Sequence, residues 1–217
     1  MVASTVYLVY LSMNDAPQPF LLISQYLDDY FAALQKEDPY AMAHYAREIP
    51  KSMLDPNRLR DDSYYAAWKP IRSTFSDKEL RALEKLYGYP LPPSYRHFLR
   101  QWHFLQLILD GASLRFFPSV PKQLAKGFGK ILRTYYWQLP KRGILPFANY
   151  SDWGVAAFNA HSLVHENEYP VVILDHDDGY TKPMTYTENF MGIFEKMKAG
   201  LCFLGKPGWQ PDPNVHR

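Results

Sequence analysis

Leu83-Glu84-Lys85-Leu86-Tyr87-Gly88-Tyr89-Pro90-Leu91-Pro92-Pro93-Ser94-Tyr95-Arg96-His97-Phe98-Leu99 decides the fold, because it reads as one helix closing and a second opening with almost no loop between them. Leu80, Leu83 and Tyr87 lie at helical spacing, and Gly88 supplies the left-handed residue that ends such a helix. Pro92 and Pro93 stand where the next helix begins, since a first turn does not need their missing N–H groups. Tyr95, Phe98, Leu99 and Trp102 follow at i, i+3, i+4 and i+7, a single apolar stripe that must be covered. Upstream, Ser76-Asp77-Lys78-Glu79 is a capping box, with Phe75 and Leu80 placed as its hydrophobic staple.

Downstream, Leu105 to Leu109 and Ala112 to Phe117 flank Asp110-Gly111, a pair suited to a tight hairpin turn. Val120, Leu124, Phe128, Ile131, Tyr135 and Leu139 recur in steps of three or four, which predicts a helix despite Gly127 and Gly129. Lys122, Lys126, Lys130 and Arg133 share another face of it. Strands are then expected at Ile144 to Phe147, Gly154 to Asn159, Val171 to Leu174 and, after the Asp178-Gly179 turn, Lys182 to Tyr186. Thr187 is placed to cap a closing helix that buries Phe190, Ile193, Phe194 and Met197 and stops at Gly200.

On the other side of the opening stretch, Leu22, Ile23, Tyr26, Leu27, Tyr30, Phe31 and Leu34 predict an amphipathic helix after Pro17 and Pro19. A short second helix is expected from Pro39 to Arg47, and residues 50–74, broken by Pro50, Pro56 and Pro70, read as loop. The expected organisation is a largely helical extension over 1–74 packed on the core, an α+β domain over 75–200 with a mainly antiparallel sheet and packed helices, and a tail over 201–217.

The composition, 47% apolar and 21% charged, is that of a folded chain, and 16% aromatic supplies large surfaces for a core or an interface. Cys202 is the one cysteine, which excludes an internal disulfide and a thiolate zinc cluster. Val6 to Leu11 is apolar, but no Lys or Arg precedes it and no small-residue cleavage pattern follows, so a signal peptide is not expected. Later apolar runs are interrupted by charges or prolines, and the expectation is a soluble protein of the cytoplasm. The net charge of +2 conceals a split: residues 100–143 carry eight cations against Asp110, while 144–195 carry eight carboxylates against Lys182. The two segments either cancel within one fold or form separate faces for charged partners.

The series Leu-Tyr-Gly, Leu-Pro-Pro, Tyr95 and Phe98-Leu99, followed in order by the Gly111 turn, Ile144-Leu145-Pro146-Phe147, Trp153-Gly154, Pro170-Val171-Val172 and Asn189-Phe190, resembles the SUKH superfamily of Smi/Knr-type proteins over residues 76–199. Asn149-Tyr150-Ser151-Asp152-Trp153-Gly154 stands where family members carry a richer Gly and Asp cluster, and the first 70 residues extend beyond the common module. The resemblance implies the α+β fold above. It also implies bacterial immunity proteins that neutralise polymorphic toxins, and fungal cell-wall regulators. Its motif positions set helix ends and core contacts, so it brings no catalytic residue and no cofactor.

Because many toxin domains attack nucleic acids with basic clefts, the expected partner is a cognate toxin domain met by the acidic segment. Asp152, Glu166, Glu168, Asp175, Asp177 and Asp178 would supply charge, and Trp153 and Tyr180 would serve as aromatic anchors. A regulatory scaffold is the first alternative and a metal-dependent hydrolase the second. Asp175-His176-Asp177-Asp178-Gly179 has cation-ligand types but reads as a turn, and His161 and His165 with Glu166 and Glu168 fall in a connection where four-residue spacing fixes no geometry, so no metal site is expected. Gly127-Phe128-Gly129 lacks the rest of a phosphate loop. Lys122 to Arg142, interleaved with Phe128, Tyr135, Tyr136 and Trp137, has the residue types of a nucleic-acid binder, but the stripe would bury those aromatics, which argues against nucleic acid.

Overall fold

The computed structural model describes residues 18–37, 42–57, 64–109, 113–164 and 167–200. Helix α2, Asp77–Tyr87, starts where its capping box says it should: the Ser76 N–H donates to Glu79 Oε2 at 2.8 Å and Ser76 Oγ accepts the Glu79 N–H at 3.4 Å. It ends at Gly88 with φ +80°. Helix α3, Pro93–Leu99, follows at once, bringing Tyr95, Phe98 and Leu99 into the core. Trp102 does not continue its stripe. The chain turns at Arg100 and Gln101, and Trp102–His103 forms strand β4, paired antiparallel with β3, Ile71–Arg72.

The main sheet has the order β10-β9-β8-β7-β6-β5 with every neighbouring pair antiparallel. Its strands are β5 Ile108–Leu109, β6 Leu114–Phe116, β7 Ile144–Tyr150, β8 Gly154–Asn159, β9 Val171–Asp175 and β10 Met184–Thr187. The Asp110-Gly111 turn lies outside the described residues, but the strands it would join do pair, Leu109 opposite Leu114, and are shorter than expected. A bulge at Phe147 accommodates Pro146, which has no N–H to give the ladder.

The central strands are apolar on both faces because both faces are covered. Phe116 and Phe117 show the division, as adjacent strand residues point oppositely. The Phe116 ring lies 5.1 Å from Phe98 and 5.6 Å from Phe147, among Tyr95, Phe158, Phe190 and Phe194. The Phe117 ring lies 5.4 Å from Phe128 on the opposite side, where α2 and α4, Leu124–Ile131, pack together. Helix α5, Met191–Gly200, puts Ile193 and Phe194 beneath the first face, with Phe190 buried just before it. Its first turn is capped by Asn189 Oδ1, which accepts the Gly192 N–H at 3.1 Å; Thr187 instead donates its hydroxyl to the Asn189 carbonyl.

Helix α1, Gln18–Glu37, seats the buried residues Ile23, Leu27 and Phe31 on the same face. Tyr26 meets Phe194 edge-on at 5.5 Å, and Asp28 takes both Arg72 guanidinium nitrogens, at 3.0 and 3.1 Å, and the Trp102 Nε1–H at 2.8 Å. The expected helix over Pro39 to Arg47 is absent from its described part: Ala43–Tyr45 is strand β1 and Ala46–Glu48 a 3-10 turn, while Pro39 lies outside the described residues. The expected loop over 50–74 likewise holds β1's partner β2, Tyr65–Ala67, as well as β3 and a 3-10 turn at Lys51–Met53. Pairing between segments some 20 residues apart overrides local preference here. Residues 1–17 and 201–217, with the expected tail, lie outside the described residues.

The helix expected from Val120 to Leu139 is broken into α4, a π-helical turn at Leu132–Tyr136 and a 3-10 turn at Pro140–Arg142. The wider π winding keeps steps of four on one side, so Leu124, Phe128, Leu132 and Tyr136 are buried in sequence. Tyr135, placed on the stripe by ordinary helical spacing, is 67% exposed, and Trp137 is 56% exposed.

Candidate partner-binding site

Two turns at one end of the sheet come together because β7, β8 and β9 are in register there: Tyr150 pairs with Gly154, and Gly154 with Asp175. Gly154 permits the approach, since a Cβ at that position would sit 2.9 Å from the Leu174 carbonyl oxygen. The first turn, with Ser151 at φ +54°, presents Asp152 to solvent and half-buries Trp153 against Tyr150, ring centroids 5.3 Å apart. The second turn follows Asp175. Its backbone amides consume carboxylate oxygens: Asp175 Oδ1 accepts the Asp177 N–H at 2.8 Å, and Asp178 Oδ1 accepts the Thr181 N–H at 3.1 Å. His176 links the turns through its backbone N–H to the Trp153 carbonyl at 2.9 Å, and its Nδ1 meets the same oxygen.

Tyr180, in the left-handed conformation at φ +60°, folds back to meet Tyr136 edge-on at 5.7 Å. Tyr136 donates its hydroxyl to Asn149 Oδ1 at 2.8 Å. Between these rings, the two turns and β6 lies a cleft of about 430 Å³, lined among others by Arg115, Tyr135, Asp152, His176 and Tyr180. Burial raises the Tyr136 hydroxyl pKa, with Tyr180 and Tyr135 adding to it; burial and then the Asp175 charge raise that of Tyr180. Both phenols therefore stay protonated at neutral pH and act as hydrogen-bonding aromatic walls.

The expected contact residues divide three ways. Asp152, Trp153, Asp175, Asp177, Asp178 and Tyr180 gather on the paired turns, with Asp152 and Tyr180 in the cleft itself. Glu168 is only 7% exposed and turned inward, where Oε1 accepts the Ser94 N–H at 2.8 Å and Oε2 the Ser94 hydroxyl at 2.6 Å, fastening the β8–β9 connection to α3. Glu166 and His165 lie outside the described residues. Arg115, Tyr135, Asn149 and His176 are additions. Arg115 had a sequence signal in its outward place between Leu114 and Phe116, but Tyr135 needed the π winding. Among the described residues, only Asp175, His176 and Asp177 bring three potential cation ligands together, within 4.8 Å, and His176 Nε2 already lies 3.1 Å from Asp177 Oδ1.

No cation of 115–142 forms an ion pair with a carboxylate of 152–195 among the described residues, although Arg115 and Asp152 line the same cleft. No helix among the described residues is long and apolar enough to cross a membrane. A family model, described as the SMI1 / KNR4 family (SUKH-1), matches residues 74–190. A comparison with curated proteins finds no match.

Proposed function

Since the chain belongs to the SMI1 / KNR4 family (SUKH-1), we propose that it is a bacterial immunity protein of the cytoplasm that neutralises a cognate toxin domain by direct binding, without catalysis or cofactor. The observation that carries this reading is the convergence of two sheet-end turns on one aromatic cleft, with Asp152 exposed in its lining and Asp177 exposed on the second turn. Exposed carboxylates would accelerate encounter with a basic partner surface, while Tyr180 and Trp153, already half-ordered by their ring contacts, would lose little entropy on docking.

The test is co-expression with the toxin encoded beside this gene. Rescue of growth and a complex on gel filtration are expected, with Tyr180→Ala weakening the complex about tenfold or more, as loss of a central aromatic contact does. Absence of both rescue and complex would sink the reading.

A further inference from the structure

A second cleft, of about 420 Å³, opens on the other side of the π-helical turn, between that turn and the end of α2. Its lining is largely apolar: Leu86 is 36% exposed and Trp137 56%, and Tyr89 also lines it. Gly129 makes room in that lining, because a Cβ there would come 3.3 Å from Arg133 Nη1 and 3.7 Å from the Leu86 methyls. Lys85, Arg133 and Lys141 stand around it, no carboxylate lines it, and none of the three is in an ion pair among the described residues. Cations without carboxylate partners among the described residues, around an exposed indole and leucine, form a surface complementary to negative charge on an apolar backbone of contacts.

We propose that this cleft docks an acidic peptide segment of a partner protein, its carboxylates against Lys85, Arg133 and Lys141 and an aromatic or aliphatic side chain against Trp137 and Leu86. The assignment is independent of the toxin-binding reading, which concerns the other cleft. A single nucleic-acid strand fits less well. Such strands need successive stacking platforms, whereas Tyr135 opens on the opposite cleft and Lys141 Nζ already lies 5.3 Å from the Trp137 ring centroid.

The experiment titrates the full chain into a fluorescein-labelled peptide of about 12 residues in which Asp and Glu flank a Phe-Leu pair, long enough to cross such a groove. The same peptide with Lys for its acids and an oligothymidylate of similar length serve as comparison probes. Saturable binding of the acidic peptide alone is expected, weakened about thirtyfold by Trp137→Ala. Lys85→Glu with Lys141→Glu should weaken it about tenfold, with the melting temperature unchanged because these side chains are exposed. Lack of saturable binding, or binding indifferent to these variants, overturns the proposal. So does oligothymidylate binding as tightly and lost with the same variants, which reassigns the cleft to nucleic acid. Concentration-dependent dimerisation abolished by Trp137→Ala reassigns it to a second copy.

Discussion

One face of the sheet is sealed from end to end, whereas the other is covered at its centre and open at its margins. Under α1, α3 and α5, rings interlock and polar groups answer one another: Tyr95 meets Phe147, Phe158 and Phe190, and Asp28 satisfies Arg72 and Trp102 together. Across the sheet, α2 and α4 cover the centre, but the π-helical turn leaves a cleft on either side of it, with Tyr135, Trp137 and several cations facing solvent. The same richness in aromatics thus serves stability where packing is complete and recognition where it stops. The difference lies in coverage rather than in residue type.

Substitutions on the two faces should separate accordingly. Tyr95→Ala removes the hub of the sealed face and should cost about 3–5 kcal/mol in urea unfolding. Asp28→Ala leaves Arg72 and the Trp102 indole without their shared acceptor, and a loss of about 1–2 kcal/mol is expected by the same measurement. Tyr136→Phe removes only the hydroxyl that reaches Asn149, on the partly covered face, and should cost about 1 kcal/mol or less while changing partner binding more than stability.

Acid is a gentler probe of the sealed face. Burial, with Arg100 adding to it, lowers the His97 pKa below its ordinary 6.5, and burial likewise lowers that of His103. The folded state therefore prefers both rings neutral. As pH falls through 6.5 the unfolded chain takes up protons first, so the melting temperature should fall until the folded-state pKa values are passed, and His97→Gln should flatten part of that slope. Trp137→Ala, at the other extreme, should move stability by less than about 0.5 kcal/mol, as exposed substitutions do. A large effect there would mean that the Trp137 ring packs more tightly on the turn than its exposure implies.

What could be read in the sequence follows from how local each signal is. The capping box, the left-handed Gly88 and the apolar runs of β7, β8 and β9 are written within a few residues and appear in the structure. Strand β1 was unreadable because its stability comes from β2, and the burial of Tyr136 in place of Tyr135 depends on a change of helical winding that no period announces. For the cleft, the second turn was visible as a turn at Asp175 to Gly179, and the first only as the gap between two expected strands. Their meeting required the register of β8 against β9, and the inward course of Glu168 required Ser94 from another element.

Helix α1 has a consequence for the order of folding. Its partners are distant in the chain: Trp102 lies 74 positions beyond Asp28, and Phe194 is further still. At roughly 5–20 residues per second of synthesis, Phe194 is made about ten to thirty seconds after Tyr26. Throughout that interval the apolar stripe of Ile23, Leu27 and Phe31 has no finished surface to rest on, so the growing chain carries a sticky first helix whose shelter is built last.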